Sequence, residues 1–297
     1  MSGTRLRTKT KLNLFLRVLG LRPDRYHELE SIFHGIDLAD EIHVALTDSG
    51  GVEVVARPGS ELRGDMPLAE ENTAMHAAMR LIERGAVNRG LKVEIVKNIP
   101  IGAGLGGGSG NAAGVLSALN ELWEMDLPPS VLQEIAMSVG ADVPYCLGGG
   151  TALATARGEK LTLLAAPVEM WFVLGISHEP LLTRDVYAAF EEVGAVKEVS
   201  SAPMTLALGS GDPEDVATLL HNDLEPAAFS LRPELEGKKE TMARAGALGS
   251  ALTGSGPTIY GVARNEGHAG EIARSVEGEF DRVVVTKTSS ACVERLD

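Results

Sequence analysis

The stretch IPIGAGLGGGSGNAAGVLSALN, residues 99–120, contains six glycines between Gly102 and Gly110 and continues at once into a helical pattern. Glycine in ordered backbone carries a large entropy cost, and it has no side chain whose packing could offset that cost. The stretch therefore predicts one of two situations. Either the backbone needs left-handed or strained angles, or a bulky group approaches the backbone closely.

Two common nucleotide-binding motifs do not explain these glycines. Gly102, Gly104 and Gly107 match the dinucleotide fingerprint GxGxxG. The acid that should follow is misplaced, because Asp126 lies between a helix end and the segment LPPS, not at the end of a second parallel strand. A P-loop needs a GK[ST] triplet after its glycines, and this sequence has none there. We reject both interpretations.

The remaining interpretation is a glycine-rich turn that ends at the N-terminus of a helix. Ser109 and Asn111 lie beside the first helical turn. The exposed N–H groups and the helix dipole at such a position favour an anion such as a phosphate. The alternative is a tight strand-to-helix turn that binds nothing, but one or two glycines would be enough for that purpose. We therefore favour phosphate binding.

The composition is typical of a globular protein with an acidic surface. The chain has 297 residues, of which 44% are hydrophobic and 23% charged, and its formal net charge is -14. This charge argues against general nucleic-acid binding, which needs a basic face, but it leaves room for a locally positive pocket. No apolar run reaches the length of a membrane span, and the N-terminus lacks a signal-peptide core. We expect a cytoplasmic protein with no nucleic acid and no membrane as partner.

The spacing of apolar residues predicts an α+β chain of two domains. Every second residue from 12 to 18 is apolar, so that Lys11 and Asn13 project together from the other face of a strand. In the first half we expect strands at 12–18, 41–46, 51–56 and 91–98, helices at 72–84, 111–123 and 131–138, and a turn into a strand over 141–155. In the second half we expect strands at 170–177 and 281–288, helices at 183–193, 213–220, 233–245 and 267–277, a loop over 194–203 and a strand–turn–strand unit over 247–263. The predicted domains are 1–157, which carries the glycine stretch, and 158–297.

Four segments together resemble one family. They are KLNLFLRVLGLRPDRYHELESIFHGIDLADEI (11–42), the glycine stretch, GADVPYCLGGGTALATARGE (140–159) and ALTGSGPTIYG (251–261). Their order and content resemble the 4-diphosphocytidyl-2-C-methyl-D-erythritol kinase family of the galactokinase, homoserine kinase, mevalonate kinase and phosphomevalonate kinase superfamily. The likeness covers nearly the whole chain, and the YHEL and GADVP pieces are more specific than the glycines.

The resemblance implies a fold and a reaction. The first half should be a ribosomal protein S5 domain 2-like unit and the second half a ferredoxin-like unit, with the active site in the cleft between them. ATP should phosphorylate the 2-hydroxyl of the small-molecule substrate 4-diphosphocytidyl-2-C-methyl-D-erythritol, in the non-mevalonate route to isoprenoid precursors. Magnesium should bridge the β- and γ-phosphates of ATP. The expected assembly is a monomer or a homodimer.

The resemblance also assigns the catalytic pair, since Lys11 matches the family's catalytic lysine and Asp142 its catalytic aspartate. The chemistry is sensible, because a hydroxyl that attacks a phosphoryl group needs positioning, charge neutralisation and a proton acceptor. Asp142 could deprotonate the hydroxyl or orient it, and both roles stay open here. Without the resemblance, Asp142 could equally be a turn-capping aspartate and Lys11 a solvated lysine.

The substrate and nucleotide residues follow from the same resemblance. Tyr26 should stack on the cytosine, Tyr187 should cover its other face, and His27 should hydrogen-bond it. Asn13 and Thr183 match substrate-side positions. The predicted ATP-binding loop consists of Pro100, Ile101, Gly102, Ala103, Gly104, Leu105, Gly106, Gly107, Gly108, Ser109 and Gly110. By analogy Ser109 is the expected magnesium ligand, and the alternative for it is an N-cap hydroxyl.

The sequence departs from the family pattern at three positions. Arg25 occupies the usual glycine of a DGYH turn, which puts the geometry of that turn in question. Gly110 replaces a common second serine, and Tyr187 stands where phenylalanine is frequent, a change that keeps a stacking face. The alternative functions are another kinase of the superfamily, acting on mevalonate, homoserine or a sugar, and a non-catalytic nucleotide-binding protein.

Overall fold

A computed structural model describes residues 3–48, 50–59, 71–85, 90–166, 168–194 and 199–296. The strands are β1 Gly3–Leu21, β2 His27–Thr47, β3 Val52–Pro58, β4 Gly90–Lys97, β5 Thr151–Ala156, β6 Lys160–Leu163, β7 Trp171–Ile176, β8 His221–Asn222, β9 Gly249–Leu252, β10 Ile259–Ala263, β11 Arg282–Lys287 and β12 Val293–Arg295. The helices are α1 Thr73–Glu83, α2 Gly107–Leu122, α3 Pro129–Val139, α4 Val143–Gly148, α5 Thr183–Val193, α6 Ala202–Ser210, α7 Pro213–Thr218, α8 Glu225–Leu231, α9 Glu234–Arg244 and α10 Glu266–Ser275.

The first sheet is built around a long antiparallel pair, β1 and β2. Its strand order is β12-β1-β2-β4-β3, with β5 also paired to β2, β6 to β5 and β8 to β1. The two ends of β2 have different neighbours, since Leu29–His34 pairs with β5 and Glu41–Thr47 with β4. Residues of α1, α2, α3 and α4 share one hydrophobic cluster with this sheet, so that the start of α2 is held against a rigid layer.

The second sheet has the order β11-β7-β10-β9, and all its pairs are antiparallel. Numbered within the sheet, this order is 4-1-3-2 with helices between the first and second and between the third and fourth strands, which is the ferredoxin-like arrangement. The prediction of an α+β chain with a ferredoxin-like second half is confirmed. The apolar face of β1 joins the two halves, because Leu12 and Leu14 share a buried cluster with Phe172 and Leu174 of β7.

The second half of the chain contributes strands to the first sheet. The predicted boundary lies in the turn Arg157–Glu159 between β5 and β6. Three strands that follow this boundary, β6, β8 and β12, pair within the first sheet. The division into 1–157 and 158–297 stays a prediction.

Several predicted elements are wrong in extent or type. The helix that we expected from Asn111 begins at Gly107, so that four of the predicted loop residues, Gly107 to Gly110, lie in its first turn. The predicted turn after Asp142 is the helix α4, which has Pro144 in its first turn, where a missing N–H costs nothing. The predicted loop 194–203 runs into α6 at Ala202, while its residues 195–198 lie outside the described residues. Short elements such as α8 and β12 carry too few residues for a periodic signal.

Candidate active site

A cleft of about 960 Å³ lies between the two halves of the molecule. Its walls come from β1, β2, the glycine stretch and the turn before α4 on one side, and from α5 and the loop after β9 on the other. Among its described lining residues, five cationic side chains face three acidic ones. The cationic residues are Lys11, Arg25, Lys97, Arg157 and Arg184, and the acidic ones are Glu71, Asp142 and Glu191. The cleft lining therefore has more cationic than acidic side chains, although the chain as a whole is acidic, and such a lining suits an anionic ligand.

The glycine stretch needs left-handed backbone angles at alternate positions. The φ angles of Gly102, Gly104 and Gly106 are 68°, 74° and 75°, a region that residues with a Cβ atom rarely adopt. Gly106 is the N-cap of α2 and provides no side-chain cap hydrogen bond. Ser109 therefore lies in the first turn and is not the N-cap residue, which excludes the alternative that its hydroxyl caps the helix.

The second reason for the glycines is close approach. A Cβ atom at Gly104 would lie 2.3 Å from the carbonyl oxygen of Thr253, and one at Gly254 would lie 3.0 Å from the carbonyl oxygen of Gly104. The glycine stretch and the loop after β9 thus touch backbone to backbone. A Cβ atom at Gly106 would lie 3.4 Å from Lys11 Cε and 3.6 Å from Asp142 Oδ2, so that this glycine borders both side chains.

A buried ion pair anchors the chain where the glycine stretch begins. Asp40 is fully buried, and its Oδ1 accepts hydrogen bonds from the amides of Asn98 and Ile99 at 2.7 and 2.8 Å. Its Oδ2 pairs with Lys97 Nζ, which also donates to Asn111 Oδ1 at 2.9 Å. Sequence analysis missed Asp40. The segment IDLADEI offers three acidic residues, and nothing in it distinguishes the buried one.

The structure brings Lys11 and Asp142 together. Lys11 Nζ lies 3.6 Å from Asp142 Oδ2 and donates a 2.7 Å hydrogen bond to Asn13 Oδ1. Lys11 is 4% exposed, and its ammonium group lies 5.0 Å from the centroid of the Phe33 ring. Asp142 is the N-cap residue of α4, but its side chain accepts no capping hydrogen bond from the described residues of that helix. The prediction that Lys11 and Asn13 project together is confirmed.

The aromatic residues lie at the other end of the cleft. The His27 ring stacks on Tyr187 with 4.7 Å between centroids, and His27 Nε2 lies 3.5 Å from Glu191 Oε1. Burial, and to a smaller extent the Asp142 carboxylate, raises the pKa of Tyr187 above its usual value, so that the phenol stays neutral. Tyr26 is 56% exposed, and the guanidinium carbon of Arg157 lies 4.8 Å from its ring centroid.

All the predicted site residues except Leu105 and Gly110 line the cleft. Thr183 lines the cleft, and its hydroxyl lies 3.0 Å from the hydroxyl of Ser255. Leu105 and Gly110 are buried behind the lining: the carbonyl of Leu105 accepts hydrogen bonds from Thr10 and from the amide of Lys11, and Gly110 packs on the backbone of Lys9. The predicted residues that line the cleft are Lys11, Asn13, Tyr26, His27, Pro100, Ile101, Gly102, Ala103, Gly104, Gly106, Gly107, Gly108, Ser109, Asp142, Thr183 and Tyr187.

The turn before Tyr26 has an arginine in a left-handed backbone conformation. Arg25 has a φ angle of 66°, the left-handed value that a glycine would adopt. The amide of Arg22 donates to the carbonyl of Tyr26 at 2.8 Å, which closes the turn. Arg25 therefore replaces the usual glycine without unfolding the turn, and it adds a cation to the cleft.

This fold and this cleft define a kinase of the GHMP class. Residues 72–150 match the GHMP kinases N terminal domain, and residues 204–282 match the GHMP kinases C terminal domain. A 4-diphosphocytidyl-2-C-methyl-D-erythritol kinase from Shouchella clausii is 37% identical over 290 residues, which cover 97% of this chain and 96% of that protein. One from Pelotomaculum thermopropionicum is 38% identical over 280 residues, covering 94% and 96%. The crystal structure of 4-(cytidine 5'-diphospho)-2C-methyl-D-erythritol kinase superposes with a TM-score of 0.80 at 32% identity, covering 96% of this chain and 99% of that one.

The chain belongs to the 4-diphosphocytidyl-2-C-methyl-D-erythritol kinase family, and membership of a kinase family implies ATP as co-substrate. Within the described ranges, no helix is both long and apolar enough to cross a membrane. The same ranges hold no group of three or more His, Cys, Asp or Glu side chains arranged to bind a metal ion. A magnesium ion held mainly by the phosphates of a nucleotide needs no such group.

Proposed function

We propose that this protein transfers the γ-phosphoryl group of ATP to the 2-hydroxyl of 4-diphosphocytidyl-2-C-methyl-D-erythritol. The observation that carries the proposal is the Lys11–Asp142 pair, with 3.6 Å between charged atoms, beside the N-terminus of α2. Its chemical setting is a cationic cleft that has an aromatic end. A phosphorylated nucleotide with a pyrimidine ring is a ligand of matching chemistry.

The glycine stretch would hold the phosphates of ATP. The left-handed glycines leave no side chains between the backbone and a ligand, and the first turn of α2 presents N–H groups and the positive end of the helix dipole. The loop after β9 packs against the same backbone, so that the second half of the chain would help to fix the position of the phosphates.

Asp142 would act on the attacking hydroxyl. Its side chain is 31% exposed on the cleft side, whereas its Lys11 partner is almost fully buried. A carboxylate placed there can accept a hydrogen bond from the 2-hydroxyl, orient it and receive its proton. In a loose transition state the proton leaves late, and orientation then contributes more than deprotonation. Lys11 would hold the Asp142 carboxylate in place through its 3.6 Å contact and attract phosphate oxygens.

The aromatic end would hold the cytosine. Tyr26 and Tyr187 supply two ring faces, and His27 supplies ring nitrogens that can hydrogen-bond to the base. In this structure His27 itself covers Tyr187. For a cytosine to stack on that face of Tyr187, the imidazole would have to move aside, to a place from which it can hydrogen-bond the edge of the base. Asn13 and Thr183 would contact the part of the substrate that lies toward Asp142.

Ser109 is the residue that would contribute to a magnesium site. Its side chain lines the cleft in the first turn of α2, and a hydroxyl oxygen is a ligand that magnesium accepts. A bound magnesium ion would neutralise charge on the β- and γ-phosphates during the transfer.

We also propose that the domains are 1–157 and 158–297, and that the protein works in the cytoplasm as a monomer or a homodimer.

The experiment is magnesium-dependent ADP release with 4-diphosphocytidyl-2-C-methyl-D-erythritol as acceptor. We expect turnover in the wild type and a loss of about 10²- to 10⁴-fold in Asp142→Ala, the range for removal of a general base. Asp215→Ala is the matched control, because it removes an exposed carboxylate on α7, outside the cleft. Full turnover in Asp142→Ala would contradict the role of Asp142.

Parallel assays separate the alternatives. Mevalonate, homoserine and galactose should not replace the substrate, and cytidine nucleotides should compete with it. Turnover with one of those acceptors, insensitive to Tyr26→Ala, would mean that the protein is another GHMP kinase. ATP binding without turnover on any acceptor would favour a non-catalytic protein.

A further inference from the structure

Arg25 holds an unusual backbone conformation at the edge of the cleft. Its φ angle is 66°, and residues with a Cβ atom reach this region at a cost in free energy. The turn would form more easily with glycine, since none of its hydrogen bonds, from the Arg22 amide to Tyr26, from the Arg25 amide to Arg22 and from the Tyr26 amide to Asp24, uses the Arg25 side chain. A strained residue at a binding site suggests that its side chain has a use there.

Arg25 also differs from its cationic neighbours in having no counter-ion within the part of the chain that the structure describes. Each of the other four cationic residues of the cleft has an acidic partner within 4 Å, and the pairs are Lys11–Asp142, Lys97–Asp40, Arg157–Glu159 and Arg184–Asp185. Among the described residues no acidic side chain pairs with Arg25, although this residue lines the same cleft.

The adjacent carboxylate is already occupied. Asp24 accepts hydrogen bonds from Arg22 Nε at 3.2 Å and from the amide of Tyr26 at 3.2 Å. The Arg22 guanidinium holds the pKa of the Asp24 carboxyl below its usual range. The charge of Arg25 is therefore left for a ligand.

We propose that Arg25 binds the diphosphate group of the substrate. The inference rests on the proposed function, because it takes the substrate to be a cytidine diphosphate ester. Arg25 directly precedes Tyr26 at the aromatic end of the cleft, whereas Lys11 and Asp142 mark the reacting end. In such an ester the diphosphate lies between the base-bearing nucleoside and the reacting alcohol. A guanidinium group binds phosphate oxygens through two parallel hydrogen bonds.

The test compares three variants by binding and by kinetics. Arg25→Gly removes the charge and suits the left-handed turn, Arg25→Asn removes the charge and tolerates the turn, and Arg25→Lys keeps a charge. Calorimetry with CDP and with cytidine gives affinities that do not depend on turnover. Thermal unfolding checks that the variants are folded, and Arg25→Gly should unfold no earlier than the wild type.

We expect Arg25→Gly and Arg25→Asn to raise the Kd for CDP about 10-fold, in the range for loss of a charge-assisted hydrogen bond, and to leave the Kd for cytidine unchanged. The KM for 4-diphosphocytidyl-2-C-methyl-D-erythritol should rise about as much, with little change in kcat or in the KM for ATP. Arg25→Lys should retain part of the affinity.

Four outcomes would overturn the proposal. Unchanged CDP affinity in Arg25→Gly would exclude a contact, and equal losses for CDP and cytidine would mean that Arg25 acts through Tyr26. A higher KM for ATP alone would assign Arg25 to the ATP phosphates, and a wild type that does not bind CDP would remove the ligand altogether. If CDP binding depends on Arg25 but the wild type does not phosphorylate the expected substrate, the diphosphate contact stands and the proposed function fails.

Discussion

Gly104→Ala tests whether the two glycine loops must touch. The new Cβ atom would lie 2.3 Å from the carbonyl oxygen of Thr253 and 3.0 Å from that of Gly256, whereas ordinary contact begins at 3.4 Å. Because these neighbours are backbone atoms, the loops would have to separate by about 1 Å. The left-handed φ angle of 74° adds about 1–2 kcal/mol. Overpacking adds about 1–3 kcal/mol, for a total loss of about 2–5 kcal/mol in the free energy of unfolding.

The same displacement should reach the reacting atoms. Lys11 Nζ lies 3.4 Å from the carbonyl oxygen of Gly104, and Thr253 donates to Asn13 Oδ1 at 3.3 Å. A shift of about 1 Å in such positions can lower turnover by about 10²-fold. We expect this loss in kcat/KM for ADP release, together with the lower stability in urea unfolding.

The matched control is Gly278→Ala. Gly278 also has a positive φ angle, 89°, but a Cβ atom there would meet nothing within 4 Å. The control should therefore lose only about 1–2 kcal/mol and keep full activity. If Gly104→Ala were as stable and as active as Gly278→Ala, the close packing of the two loops would not be required for function, and the reasoning would be refuted.

Two further predictions concern buried ionisable side chains. Burial lowers the pKa of His34 from 6.5 to about 4, so that between these pH values the unfolded state binds a proton that the folded state does not. The free energy of unfolding should fall by up to about 3 kcal/mol as the pH drops from 6.5 to 4, and urea unfolding at a series of pH values should show a shallower fall in His34→Gln. An equally steep fall in that variant would exclude His34 as the cause. Asp40→Asn leaves Lys97 buried without its counter-ion and should cost about 3–5 kcal/mol in urea unfolding, while Asp40→Asn combined with Lys97→Met should recover most of it. Additive losses in the double variant would mean that the two side chains do not interact.

The sequence predicted the elements whose signal is local. Alternation placed Lys11 and Asn13 on one face of β1, and the density of glycines indicated a backbone that either adopts left-handed angles or is approached closely. The α+β class followed from the pattern of apolar residues, and the ferredoxin-like half followed from the family resemblance. Arg25 illustrates the limit of residue-type reasoning, because a left-handed turn favours glycine but does not require it.

The spacing of residues along the sequence could not predict which distant residues lie close together in the fold. Nothing local in β1 and GADVP brings Lys11 within 3.6 Å of Asp142, and only the family resemblance paired them. The start of α2 was misjudged because Gly107, Gly108 and Gly110 have low helix propensity, which tight packing on Ile99, Thr73 and the backbone of Lys9 overrides. Asp40 was missed because the burial of a carboxylate depends on amides and a lysine from a different strand.

The pairing of β12 with β1 has a consequence for how the protein is made. Leu6, Arg7 and Thr8 pair with residues 293–295, so that almost the whole chain separates the two partners. During synthesis β1 must leave the ribosome with an edge that stays unpaired until residues 293–295 have been made. Contacts between such distant segments slow folding, and open strand edges invite association with other chains. Lys11 lies on this same strand, so the strand that carries it cannot complete its pairing before β12 is in place.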